Sequence, residues 1–218
     1  MSPAEKLLLR HGGHTGSAPD GPCCLVEYEV VHVLKRTKKA DTDPTICPVI
    51  NAMATGLNDA YPDNDAGDVQ RTAELERFIG RLKDTKSTPE VERRRSHLAC
   101  DWLIRTYTPA WLRLVPSLVD HAEALTALPE ITDGEVATSA QPTISAAGSA
   151  AGSAADSAAS SAAYSAARSA DDSAAYSAAY SAARSAACAA ADDLLKPTAD
   201  SLRASAIELL ERMLAVTE

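Results

Sequence analysis

The side chains best suited to chemistry cluster near the N-terminus of this 218-residue sequence. Cys23 and Glu27 are four residues apart, so on a helix they face the same point. His14 on the preceding loop and Cys47 before the next helix can reach that point. Thiolate and imidazole are ligands that zinc binds in tetrahedral sites. Adjacent cysteines are awkward as joint ligands, so one of the pair, Cys24, is chosen. The sequence therefore predicts a zinc site whose ligands are His14, Cys24, Glu27 and Cys47.

Two other interpretations of this cluster stay open. The spacing matches no standard zinc finger, and buried cysteines beside a loop histidine are common in ordinary cores. Alternatively, Cys23 or Cys24 is a nucleophile with His14 as its base, although the sequence indicates no third orienting group. Phosphate-binding glycine loops, dinucleotide fingerprints, HExxH and GxSxG are all missing from the sequence. No catalytic or cofactor-binding residue is predicted, and the sequence favours a non-enzyme.

A second acidic segment superficially resembles a calcium loop through Asp63, Asp65, Gly67 and Glu74. The glycine comes one position too early, and this leaves that position without its oxygen ligand. A helix-capping loop is the better interpretation, with Asp68 as the predicted N-cap.

The elements that position these residues are predicted to be helices. Pro48 and Pro89 are placed at helix starts, and Pro109 is predicted to break or kink a helix. A strand is the alternative for the valine-rich first segment. Residues 129–142 contain Pro129, Asp133, Gly134 and Pro142 and are predicted to be a flexible connector. The segments with helical spacing are 23–39, 48–61, 68–82, 89–108, 111–115 and 118–128.

The most distinctive feature of the sequence is a four-residue repeat over 143–196, with serine at every fourth position from Ser145 to Ser185. Alanine is the best helix former, so we expect one long helix. Successive serines rotate by about 40° around a straight helix, and this excludes a left-handed coiled coil. Small side chains permit close packing, so crossing helices from 22–128 are expected to pack against this helix; a solvent-exposed arm is the alternative.

The predicted architecture is all-α, a multi-helix bundle built around the long Ala/Ser helix. Its parts are an N-terminal helical domain at 1–128, the connector, the repeat helix, and an amphipathic helix at 197–218 that packs on the N-terminal domain. In this last helix Leu202, Ile207 and Leu210 are expected to face the core, with Arg203 outside.

Composition limits the partners. The net charge of −9 argues against a nucleic-acid binder, which needs a basic surface to release counterions. The first residues show no secretory apolar segment. The sequence also contains no run of about 18 apolar residues, so no membrane-spanning helix is expected. Five cysteines, an odd number, fit a reducing compartment, so a cytoplasmic location is expected.

Several strings resemble an uncharacterised protein family of actinobacteria and their phages. They are His14…Asp20-Gly21…Cys24-Leu-Val-Glu27, Cys47-Pro48-Val49-Ile50…Asn58-Asp59, and Asp101-Trp102-Leu103-Ile104-Arg105, followed by an Ala-rich repeat. The resemblance implies no established activity. It nominates a polar cluster of His14, Asp20, Cys24, Glu27, Asn58, Asp59, Asp101 and Arg105.

These observations lead to three functional hypotheses. The first is a non-enzymatic interaction protein that uses the Ala/Ser helix for self-association, as a homo-oligomer, or for binding a protein partner. The second is a zinc-type metal-binding protein or metal-dependent enzyme based on the His14 cluster. The third is an immunity-like or phage-encoded host-interaction factor, since similar Ala-rich repeats occur in chains labelled as immunity proteins.

Overall fold

A computed structural model describes residues 7–13, 22–154 and 195–217. These residues are mainly helical, so the predicted all-α multi-helix fold is confirmed. An isolated parallel β-bridge joins Leu9 and Cys23. The α-helices are Leu25–Tyr28 (α1), Pro48–Asn58 (α2), Asp65–Leu75 (α3), Pro89–Trp102 (α4), Thr108–Leu112 (α5), Val119–Thr126 (α6), Gly134–Ala154 (α7) and Lys196–Ala215 (α8).

Two π-helical segments follow directly after α1 and α4. The valine-rich segment continues α1 as a π-helix over Glu29–Val33, so the strand alternative is wrong. A second π-helix, Leu103–Tyr107, joins α4 to α5. Pro109 is the second residue of α5, which follows the π-helix directly, so the predicted break does not occur. The chain therefore stays helical through Pro109.

Helix α2 lies at the centre of the fold and packs against α1, α4 and α8. Pro48 occupies its first position, as predicted. Its buried residues are Val49, Ile50, Asn51, Ala52, Met53, Ala54, Gly56, Leu57 and Asn58. An amphipathic surface helix would bury one stripe, whereas α2 is covered on most sides.

The start of α3 differs from the prediction. The helix begins at Asp65, and its N-cap is Asn64, whose side-chain oxygen accepts the Gly67 backbone N–H at 2.8 Å. Asp68, the predicted N-cap, lies one turn inside the helix and is buried. Its carboxylate pairs there with Arg71, three residues along the same helix, and with Arg10 of the N-terminal segment. The contact with Arg10 is long-range and cannot be read from local spacing.

The predicted connector is helical from Gly134 onward, since α7 covers Gly134–Ala154 with Pro142 inside it. Asp133 Oδ1 accepts the Val136 N–H at 2.9 Å, so the Asp-Gly pair starts the helix. The early part of the repeat is therefore helical up to Ala154. The remainder of the predicted long helix, 155–194, lies outside the described residues.

Helix α8 packs against α2, α4 and α5 and buries Leu202, Ile207 and Leu210. Arg203, predicted to face solvent, is 4% exposed. Its guanidinium lies over the Tyr61 ring at 4.7 Å from the centroid and donates to the Ala60 carbonyl oxygen at 3.2 Å. It also pairs with Asp200 and lies 3.9 Å from a carboxylate oxygen of Glu74. These partners compensate for the burial of the charge, so the outward placement of Arg203 was wrong.

None of the described helices combines the length and apolar character needed to cross a membrane.

Candidate functional site

A polar cavity of about 320 Å³ lies between the N-terminal segment, the loop that precedes α2, and α2 itself. Cavities that hold small molecules start at about 300 Å³, so this volume suits a small ligand. The charged residues among its described lining are two aspartates, Asp41 and Asp59. The complete lining is Gly12, Gly13, Cys24, Asp41, Thr42, Asn51, Ala52, Thr55 and Asp59.

Helix α2 contributes one polar stripe to this cavity. Asn51, Thr55 and Asp59 are separated by four residues each, a spacing that places them along one side of a helix. Thr55 Oγ1 donates to the Asn51 carbonyl oxygen at 2.9 Å, so this hydroxyl is satisfied within the helix. The stripe thus brings an amide, a hydroxyl and a carboxylate to the same wall.

The amide of Asn51 is 5% exposed and has a fixed orientation. Its Nδ2 donates to the backbone oxygen of Asp41 at 2.8 Å, and only the nitrogen end of an amide can do so. The Oδ1 atom is therefore at the other end, where it has no hydrogen-bond partner among the described residues. A buried acceptor without a partner costs roughly 1–3 kcal/mol. A bound donor at this position would remove that cost.

The carboxylate of Asp59 is held by the N-terminal segment and by its neighbour. Asp59 Oδ1 accepts the Gly12 backbone N–H at 3.0 Å and Asn58 Nδ2 at 3.2 Å. Asn58 is fully buried; its Oδ1 accepts the Leu25 N–H and its Nδ2 also donates to the Arg10 carbonyl oxygen. Asn58 is therefore a positioning residue that ties α1, α2 and the N-terminal segment together beside the cavity.

Buried polar contacts from α3 hold the N-terminal segment in place. Thr72 Oγ1 accepts the Leu9 N–H at 2.8 Å. Arg71, which is fully buried, donates to the Leu9 carbonyl oxygen at 3.1 Å and pairs with Asp68. Asp68 also pairs with Arg10. Gly12 and Gly13, which form one wall of the cavity, thus belong to a segment that is anchored to α3.

The predicted metal ligands have structural roles where they are described. Glu27 is fully buried, and its Oε2 accepts the Cys24 backbone N–H at 3.0 Å in a capping arrangement at the start of α1. Burial raises the pKa of the Cys24 thiol far above its ordinary value, so this sulfur is protonated at neutral pH. A protonated thiol is a poor metal ligand and a poor nucleophile.

Cys47 is the buried N-cap residue of α2, and its backbone N–H donates to Thr85 Oγ1 at 3.0 Å. Within the described part of the chain, no three His, Cys, Asp or Glu side chains form a group that could hold a metal ion. His14 lies outside the described residues, so the metal site stays a prediction.

The polar cluster implied by the resemblance is divided between two places. Cys24, Glu27, Asn58 and Asp59 lie at or beside the cavity. Asp101 instead accepts hydrogen bonds from Arg105 at 3.0 Å and from the Ile131 N–H at 2.9 Å. This pair therefore fixes the segment before α7 to the end of α4. Asp20, like His14, lies outside the described residues.

The prediction from sequence missed Asp41, Asn51 and Thr55 as site residues. One signal for two of them was present: Asn51 and Thr55 are polar residues four apart within the largely apolar segment 49–57. No such signal existed for Asp41, because the sequence of a polar loop does not indicate which helix the loop packs against.

Comparisons of this chain with known protein families, curated proteins and solved structures gave no match. The class of the protein is therefore defined by its own structure. It is an all-α protein with a cavity on its central helix, and the charged residues of the described lining are aspartates.

Proposed function

We propose that this chain is a non-enzymatic helical binding protein whose ligand site is the cavity lined by Gly12, Asp41, Asn51 and Asp59. The observation that supports this proposal is the buried Asn51, which lines a cavity of small-molecule size and whose Oδ1 atom has no hydrogen-bond partner among the described residues. Proteins pair almost all buried polar atoms, so an exception beside a cavity is a reason to expect a ligand there.

The chemistry of the lining favours binding over catalysis. The cavity thiol, Cys24, is held in its protonated, unreactive form. Asp59 Oδ1 already accepts two hydrogen bonds, and the Thr55 hydroxyl donates within its own helix. These groups therefore have fixed positions, and we expect them to orient a ligand rather than to react with it.

Binding is tested by screening small neutral, anionic and cationic compounds against the ¹⁵N-labelled full chain. The expected result is saturable shifts of the Asn51 side-chain amide and of the Gly12 and Asp59 backbone signals. The variant Gly13→Val places a side chain at the cavity wall and should weaken binding; the control Gly134→Val adds the same group where the neighbourhood is open. If no compound shifts these signals, the proposal is wrong.

A second candidate function, self-association or protein binding through the Ala/Ser repeat, is favoured by the burial pattern of α7. Ala140, Ala147 and Ala151 are each 1% exposed and face the folded body, where α7 packs against α6. Ser145 and Ser149 lie on the exposed side. The repeat thus begins by using its alanines for close packing, and we expect a partner to bind on the side of Ser145.

Light scattering after size-exclusion chromatography tests this candidate. We expect association at micromolar concentration that the variant Ala146→Arg weakens, because Ala146 is exposed within the repeat. The control Ser139→Arg adds the same charge on the exposed side of α7 before the repeat. A strictly monomeric wild-type chain would rule out self-association.

A further inference from the structure

We draw no further inference here: the strongest candidate, the side-chain cluster of Cys23 and Lys39 beside the start of α1, carries nothing because the two residues are only 5% and 1% exposed, so that neither an oxidant nor a ligand reaches them.

Discussion

Arg71 Nε donates to the backbone oxygen of Asn58 at 2.7 Å, with the guanidinium fully buried. This bond joins α3 to the C-terminal end of α2, where an exposed helix would leave its last carbonyl groups to water. Asn58 in turn positions Asp59 at the cavity. The buried Arg71 thus helps to position the candidate site, although it does not line the cavity.

Replacement of Arg71 by alanine should destabilise the protein by about 3–5 kcal/mol, because Asp68 would lose a buried partner and several carbonyl oxygens would lose their donor. Urea unfolding followed by circular dichroism measures this change. The control is Arg93→Ala, whose side chain is 44% exposed in a pair with Glu90 and should cost less than about 1 kcal/mol. Equal losses for the two variants would show that the Arg71 network contributes little.

Gly67→Ala should also destabilise the fold, by about 1–3 kcal/mol, since a Cβ atom at this position would lie 2.0 Å from the Pro62 carbonyl oxygen. The loop between α2 and α3 would have to move to accept it. The matched control is Gly134→Ala, where nothing lies within 4 Å and alanine favours the helix. Thermal unfolding distinguishes the two, and an unchanged midpoint for Gly67→Ala would contradict the close approach.

The pair Arg36–Asp43 should make stability depend on acid pH. The hydrogen bond from the Arg36 side chain lowers the pKa of Asp43 from 3.8 to about 2. Since the folded-state pKa is depressed, the stabilisation is complete above the ordinary pKa and is lost as pH falls from about 4 to about 2. In Arg36→Gln the unfolding free energy should therefore fall less steeply over this range. An identical slope in the variant would contradict the pair.

Cys100 should be protected from alkylation in the folded protein. Burial, and to a smaller extent the neighbouring charge of Asp101, raises the pKa of its thiol from 9.0 to about 11. At pH 8 this lowers the thiolate fraction about a hundredfold, and burial also hinders access. Iodoacetamide labelling followed by peptide mass spectrometry measures the rate, with the same peptide labelled in urea as the reference. Equal rates in both conditions would show that this site is open.

Local sequence determined several elements on its own. Pro48 and Pro89 mark the starts of α2 and α4, as predicted, because proline fixes φ and loses no hydrogen bond at a first turn. The apolar spacing of Leu202, Ile207 and Leu210 correctly gave the buried side of α8. The alanine content gave helix at the start of the repeat, up to Ala154.

Only the tertiary structure decided which polar groups are buried and what they meet. Helical periodicity placed Arg203 on the exposed side of α8. The residue is nevertheless buried, because Tyr61 and the Ala60 carbonyl oxygen lie against it. The cavity depends on Gly12 reaching Asp59, 47 residues further along the chain. Helical periodicity specifies which side of a helix is apolar, but contacts of this kind depend on which loop crosses that side, and no local pattern carries that information.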